Sequence, residues 1–207
     1  MFGSWPRGAM SRKECISMMW LAALGLAVVA GCQGQTPGAG GEKAAAPAVV
    51  SVSVERGEYL IKTSGCHDCH TPWAMGPNGP APDMTRMLSG HPEGLTMPPA
   101  PALGMPWMWA GAATMTAFAG PWGVSYSANL TPDQNTGLGI WTEEMFVNAI
   151  RQGKHMGTSR EIQPPMPWQQ YRNMTDEDLK SVFAYLRTIP PIVNHVPDWE
   201  PPGGQGD

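Results

Sequence analysis

Residues 64–73 read SGCHDCHTPW and place two cysteines three positions apart, with a histidine directly after the second. A Cys-x-x-Cys pair can be a redox dithiol, half of a zinc site or, when a histidine follows, the attachment point of a c-type haem. In the haem case both thiols become thioethers on the porphyrin vinyl groups, and His70 is held beneath the iron as an axial ligand. The stretch therefore leaves three chemistries to compare.

The remaining sequence favours haem over the other two. A redox dithiol expects a thioredoxin-like βαβ pattern around it, which is absent from the flanking sequence. A zinc site needs two more ligands at a regular spacing, and no such pair occurs among the other histidines, which are His67, His91, His155 and His195. The sequence thus predicts one haem c, attached at Cys66 and Cys69 and ligated by His70, with His67 facing solvent.

The N-terminus predicts export. Three basic residues precede the apolar run 16–30, which at 15 residues is shorter than the roughly 18 expected of a membrane span. The run ends in VAGC, which resembles the lipobox of bacterial lipoprotein signal peptides. Residues 1–31 are therefore predicted to be a signal peptide and Cys32 the lipidated first residue of the mature chain. An ordinary signal peptide or an uncleaved anchor is the alternative.

The predicted mature chain is acidic, with ten basic and 16 acidic residues and a net charge of −6. This balance excludes nucleic acid as a partner and suits a redox protein with a basic docking face. Residues 32–48 are rich in Gly, Ala and Pro without apolar periodicity, which predicts a flexible tether spanning roughly 20–24 Å. With only Cys66 and Cys69 left beyond the lipidated residue, a multi-disulfide scaffold is excluded.

Apolar spacing predicts three helices. The first carries Val50, Val54, Gly57 and Ile61 on one face, with Gly57 marking a close approach by another helix; an irregular strand at 49–54 is the alternative for its first turn. Another begins at Thr142, buries Phe146, Ala149 and Ile150, and ends at Gly153. The last begins at the N-cap Thr175, buries Leu179, Val182, Phe183 and Leu186, and ends before Pro190 and Pro191. Phe183 and Tyr185 are expected to pack near the first helix.

Three stretches together resemble the class I cytochrome c family, and more closely the cytochrome c domains of periplasmic dehydrogenase cytochrome subunits. They are RGEYLIKTSGCHDCHTP at 56–72, NLTPDQNTGLGIWTEEMF at 129–146 and PPMPWQQYRNMTDEDLKSVFAYLRTIPP at 164–191. The resemblance implies an all-α cytochrome c fold over residues 49–196, with few helices around one haem. Those subunits often carry several Cys-x-x-Cys-His motifs, whereas this chain has one.

Residues 73–128 form an unusually long insertion in that pattern. The segment is rich in Pro, Gly, Met and Trp and has no sustained period, and PNGP at 77–80 indicates a turn. A long loop in a compact domain is usually functional or disordered. Its apolar content favours a loop that covers haem edges or a partner surface, or one that completes the core. Residues 197–207 are predicted to be a disordered tail.

Met166 is the predicted second axial ligand. Pro164, Pro165 and Pro167 flank it and fix the backbone, which lowers the entropy lost in holding the sulfur at the iron. It also lies nine residues before the last helix, where class I cytochromes resembling this one place their axial methionine. His155, Met156 and a purely structural loop are the alternatives.

These features predict an exported, lipid-anchored, single-haem cytochrome c that carries single electrons between redox proteins, with no catalytic residue of its own. Its expected location is the periplasmic or extracytoplasmic side of a bacterial membrane. One alternative is an electron-transfer subunit of a membrane-associated dehydrogenase or respiratory complex. Another is a haem enzyme or gas sensor with an open sixth position on the iron.

Overall fold

The computed structural model describes residues 51–203. The predicted signal peptide, Cys32 and the tether to residue 48 lie outside the described residues, as do residues 204–207. The described helices are α1 Val54–Thr63, α2 Cys66–His70, α3 Glu143–Gln152, α4 Trp168–Tyr171 and α5 Asp176–Leu186. Two three-residue 3₁₀ helices, Met84–Arg86 and His155–Gly157, lie between them.

Hydroxyl caps set the starts of the three long helices. Ser53, Thr142 and Thr175 each accept a hydrogen bond from the backbone N–H three residues on, at 3.1 Å in every case. Helix α3 ends at Gly153, whose φ of 67° lies in the left-handed region that glycine adopts at low cost. The predicted bounds of α3 and α5 are confirmed. Helix α1 begins at Val54, and residues 51–53 before it form neither a helix nor a strand, whereas Val50 of the predicted face lies outside the described residues.

Helices α1 and α5 meet at Gly57, as its position in the sequence predicts. A Cβ on Gly57 would lie 1.9 Å from the carbonyl oxygen of Ser181 in α5. Arg56 pairs with Asp178 beside this contact, with Nε donating to the carboxylate at 2.8 Å and Nη2 at 3.3 Å. The Ser181 hydroxyl accepts the N–H of Ser53 at 3.1 Å, so the two helices are joined on both sides of the glycine.

Gly57→Ala is expected to destabilise the folded domain by about 2–3 kcal/mol, because the new methyl group meets backbone that cannot move aside. The gain in helix propensity of up to about 1 kcal/mol only partly offsets this strain. Urea denaturation of the haem-loaded protein measures the change. Gly104→Ala is the matched control, since a Cβ there meets no atom within 4 Å. Equal stability of both variants would contradict the close contact.

The apolar core lies between α1, α3 and α5 and extends to buried side chains of the connecting segments. Leu179, Val182, Phe183 and Leu186 are buried as predicted, whereas Val54 is exposed. Phe183 packs against Phe146 of α3 with ring centroids 5.4 Å apart. Tyr185 contacts α1 at Gly57, as expected of it. The core side chains are Leu60, Ile61, Leu88, Leu138, Phe146, Ile150, Leu179, Val182, Phe183, Tyr185, Leu186 and Ile189.

The prediction of an all-α fold is wrong for the 73–128 segment, which contains two small antiparallel sheets. Strands β1 Trp73–Gly76 and β2 Gly79–Pro82 form a hairpin, whose turn confirms the one predicted at 77–80. Strands β3 Ala110–Gly111, β4 Ala117–Gly120 and β5 Gly123–Tyr126 form the second sheet in that order. Each strand has only two to four residues, many of them Gly, Ala or Pro, so no alternating apolar pattern is available to reveal it.

The C-terminal segment also differs from the prediction of a disordered tail at 197–207. Glu200 forms a backbone bridge to Val124 in β5, with N–O distances of 2.9 Å in both directions. The indole N–H of Trp199 donates to the carbonyl oxygen of Trp122 at 2.7 Å. The tail residues Trp199 and Glu200 therefore extend the second sheet. Over residues 51–203, no helix combines the length and the apolar character needed to cross a bilayer.

Candidate haem-binding site

The Cys-x-x-Cys-His motif forms α2, directly after α1. Gly65, with φ 72°, makes the left-handed turn that separates the two helices. Cys66 and Cys69 lie one turn apart on α2, both partly exposed and not joined in a disulfide. Two free thiols at this spacing can both add to one porphyrin, which is the geometry that covalent haem attachment requires.

The orientation and burial of the His70 ring suit a metal ligand. Its Nδ1–H donates to the carbonyl oxygen of Ala128 at 2.9 Å, which fixes the tautomer and leaves Nε2 as the free lone pair. Nε2 has no hydrogen-bond partner among residues 51–203. Burial lowers the pKa of His70, so the ring is neutral at physiological pH. A buried, neutral imidazole with one oriented free nitrogen fits an axial position on haem iron.

The backbone around His70 is held by the first part of the insertion. Gly90 donates its N–H to the carbonyl oxygen of His70 at 2.8 Å, and the hydroxyl of Thr71 accepts the N–H of Leu88 at 2.9 Å. His67 is partly exposed and shares a 3.0 Å hydrogen bond with Thr71 through its own Nδ1. Only one histidine of the motif is therefore both buried and free at Nε2.

The segment that carries Met166 is fastened at both ends. Before it, the carbonyl oxygen of Pro164 accepts a 2.5 Å hydrogen bond from the hydroxyl of Ser125 in β5. After it, the hydroxyl of Tyr171 in α4 donates to the carbonyl oxygen of Ser64, at 2.6 Å. Met166 itself is partly buried and packs against the core. The segment is thus attached both to the residues preceding Cys66 and to the strand preceding Ala128.

Ser125 and Ala128 are the site residues that the sequence did not reveal. They lie three positions apart, and they contact the segment that carries Met166 and the His70 ring respectively. Ala128 contributes only a backbone carbonyl oxygen, which any residue type supplies, and no residue pattern predicts the partner of Ser125. The structure therefore gives the end of the 73–128 insertion a supporting role that the sequence does not show.

The alternative ligands, His155 and Met156, lie together in the 3₁₀ helix after α3. The His155 ring packs edge-to-face on Trp141, with centroids 5.0 Å apart, and burial lowers its pKa. The backbone N–H of His155 donates to the carbonyl oxygen of Arg160 at 2.8 Å. Met156 has a left-handed φ of 54° and does not pack against the core cluster as Met166 does.

The two competing uses of the cysteines have little support. Burial raises the pKa of Cys66 to about 11, and burial also raises that of Cys69, whereas a reactive dithiol needs a lowered pKa. Within residues 51–203, there is no set of three or more His, Cys, Asp or Glu side chains placed to hold a metal ion. The residues present therefore fit haem attachment better than a redox dithiol or a zinc site.

Comparison with known proteins gives no match to a protein-family model. The chain is 31% identical over 136 residues to the fructose dehydrogenase cytochrome subunit of Gluconobacter japonicus, covering 66% of this chain and 21% of that protein. It is 30% identical over 133 residues to the gluconate 2-dehydrogenase cytochrome c subunit of Pantoea cypripedii, covering 64% and 22%. It is 27% identical over 148 residues to the cytochrome c subunit of the quinone alcohol dehydrogenase of Gluconobacter oxydans, covering 70% and 24%.

The chain spans between a fifth and a quarter of the length of these three relatives. The aligned part covers about two thirds of this chain, which supports a cytochrome fold elaborated by the two small sheets. The expectation of an electron-transfer protein rather than an enzyme agrees with relatives that are cytochrome subunits. The chain is therefore similar to the cytochrome c subunits of dehydrogenases.

Proposed function

We propose that this chain is the electron-transfer subunit of a membrane-associated dehydrogenase and receives single electrons from a catalytic partner. The observation that carries the proposal is the free Nε2 of a buried, oriented His70 within a Cys-x-x-Cys-His motif. The relatives favour a subunit over an independent carrier, since each of the three is part of a dehydrogenase.

The residues divide the work as follows. Cys66 and Cys69 would hold one haem c through thioethers, and His70 and Met166 would ligate its iron. The haem supplies one-electron chemistry when bound, while the protein fixes its ligands and excludes water. One haem is proposed for residues 1–207, because this stretch contains a single Cys-x-x-Cys-His motif. The attachment of the Met166 segment to Ser125 and to Ser64 supports its role as the sulfur ligand.

Purification from native membranes in mild detergent tests the function. A dehydrogenase catalytic subunit is expected to copurify with the haem-loaded chain, and the substrate of that enzyme should reduce the haem without an added mediator. A chain that purifies alone, and that is reduced only by other soluble redox proteins, would instead be an independent carrier. That outcome favours the second candidate function, an exported protein that exchanges electrons with partners bearing a basic face.

The proposed membrane attachment is a lipid on Cys32. Cys32→Ser is expected to abolish lipid modification and release the protein from membranes, while haem content and spectrum stay unchanged, because Cys32 precedes the described domain. Mass spectrometry of the mature N-terminus and membrane fractionation measure the two effects. Cys15→Ser is the control, since residue 15 belongs to the predicted signal peptide. An unmodified wild-type N-terminus would show that the anchor is absent.

Ser125→Ala is expected to weaken the hold on the segment that carries Met166. The change removes the 2.5 Å donor from the carbonyl oxygen of Pro164, at a cost of about 1–1.5 kcal/mol. External imidazole should then displace the sulfur ligand at roughly tenfold lower concentration. Optical titration of the oxidised protein measures this. Ser127→Ala is the matched control, because Ser127 is also buried but its hydroxyl makes no hydrogen bond within residues 51–203. Equal imidazole affinity in both variants would show that Ser125 does not position the segment that carries Met166.

A further inference from the structure

Residues 103–109 of the insertion carry an exposed apolar face. Its five side chains are exposed: Leu103, Met105, Trp107, Met108 and Trp109. Met105 is 92% exposed and Trp107 73%, although both are large apolar residues. We call these five residues the Met/Trp face. Single exposed apolar residues are ordinary, but five within seven positions form a contiguous patch.

The surroundings of this face carry almost no charge. Residues 94–132 form a run of 39 positions without Asp, Glu, Lys, Arg or His. Two adjoining grooves of about 510 and 410 Å³ lie between this segment, strands β4 and β5, and the C-terminal residues. Glu200 is the one charged residue that lines them, and its carboxylate accepts the hydroxyl of Tyr126. A partner on this surface therefore meets one charged group, the carboxylate of Glu200, which is hydrogen-bonded to Tyr126.

The exposed area of the Met/Trp face is close to the area that one partner buries in a protein–protein interface. The five side chains expose on the order of 600 Å², at the upper end of the largest apolar patches on monomers and most of the roughly 800 Å² that each partner gives to a standard complex. Trp and Met are also among the residues enriched in interface cores, where charged residues are depleted. The composition therefore fits a lasting apolar contact better than a brief, electrostatically steered one.

The face is built on the sheet that leads to the proximal ligand. Val124 and Tyr126 of β5 line the grooves, and the chain then reaches Ala128, which holds His70, within two residues. Trp109 packs edge-to-face on Phe118 of β4, with centroids 5.8 Å apart, so the face is joined to this sheet. A protein bound here contacts the same short sheet whose last strand leads to Ala128, the residue that holds His70.

We propose that the Met/Trp face is the docking surface for the catalytic subunit of the dehydrogenase, through an equally apolar and uncharged surface on that subunit. This inference rests on the proposed function. A lipid bilayer is less suited, because residues 94–132 contain no Lys or Arg to bind anionic headgroups and the grooves accept protruding side chains. The contact gains its free energy from apolar burial and is insensitive to salt.

The test uses full-length, haem-loaded protein produced in its native host in place of the wild-type copy. Met105→Gln/Trp107→Gln removes the two most exposed apolar side chains of the face without touching the core. Met75→Gln/Val193→Gln is the matched control, since these side chains are 80% and 76% exposed and lie outside the face. Complexes solubilised in mild detergent are separated by size at low and high salt, and the copurifying proteins are identified by mass spectrometry.

The dehydrogenase subunit is expected to coelute with the wild type and the control at both salt concentrations, and its affinity for the double variant should fall at least tenfold. A double variant that retains the subunit fully overturns the docking face while the proposed function stands. Failure of any dehydrogenase to copurify with the wild type overturns both.

Two further measurements test whether the Met/Trp face instead binds a lipid bilayer or a second copy of this chain. Vesicles of phosphatidylethanolamine and phosphatidylglycerol are mixed with the Cys32→Ser form of each protein, and light scattering reports the mass of the purified chains. If the double variant loses vesicle binding but keeps the dehydrogenase, the face contacts lipid. If the wild type is a dimer that only the double variant dissociates, the face binds a second copy. Either result overturns the proposal.

Discussion

Denaturation of the purified protein is expected to leave one haem on every chain, because the proposed attachment joins it to both Cys66 and Cys69. Acid-acetone extraction should then leave the haem with the precipitated polypeptide. Cys66→Ala/Cys69→Ala is expected to lose all covalently held haem, and each single variant should retain at most one thioether. Mass spectrometry, which resolves the added mass of haem, and the visible spectrum of the extracted fraction measure these outcomes.

The expected effect is complete rather than graded because each thioether is a covalent bond. The two thiols are free of each other, lie one helical turn apart and are only partly buried, so both remain available to one porphyrin. Each adds across a vinyl group, with a new carbon–sulfur bond and the thiol hydrogen transferred to the neighbouring carbon, and no oxidant is needed. Cys32→Ser serves as the control that must keep its haem. Release of haem from the wild-type chain by acid-acetone would contradict covalent attachment.

The helices could be predicted because their determinants are local. Thr142 caps α3, Gly153 ends it, and the buried residues between them follow the helical period, all of which can be read within 12 positions. Gly57 is a less local case, since a glycine inside a helix indicates only that something approaches. The structure identifies that neighbour as the backbone of Ser181. The sequence thus predicted that a close contact occurs at Gly57, but only the tertiary structure shows that its partner is α5.

The strands of the insertion could not be predicted, for a physical reason. They are shorter than the window in which an alternating pattern is detectable, and they are held by backbone hydrogen bonds between residues with small side chains. The same explanation applies to Trp199 and Glu200, whose contacts with β5 arise only once that strand exists. Where order depends on backbone pairing in short strands or between distant residues, composition alone favoured a loop and a disordered tail.

The site shows the same division between local and distant determinants. Cys66, Cys69 and His70 form a contiguous motif, and the structure places them together on one short helix. The oxygen that orients His70 comes from Ala128, 58 positions away, and the hydroxyl that holds Pro164 comes from Ser125, 39 positions away. The side chains proposed to hold the haem could be identified from their fixed spacing. Support carried by a backbone carbonyl and a distant serine was not.

Met166→Ala is expected to open the sixth position on the iron, and this variant decides between carrier and catalyst. A thioether opposite His70 favours ferrous iron and raises the reduction potential. Its loss should lower the midpoint potential by on the order of 0.1 V or more, within the roughly 0.8 V range over which axial ligands act. The sulfur-to-iron charge-transfer band of the oxidised protein should disappear, and carbon monoxide should bind the reduced protein readily.

Met156→Ala and Met174→Ala are the matched controls for this variant. Met156 adjoins the competing ligand His155, and Met174 is partly buried against the core as Met166 is, yet neither lies in a proline-flanked segment tied to Ser125 and Ser64. Both controls should keep the charge-transfer band and exclude carbon monoxide. If Met156→Ala loses the band instead, the ligand comes from the 3₁₀ helix at His155–Gly157. If the wild-type protein already binds carbon monoxide, its sixth position is open and the haem acts as a catalytic or gas-binding centre, because an iron with a vacant site accepts small molecules as well as electrons.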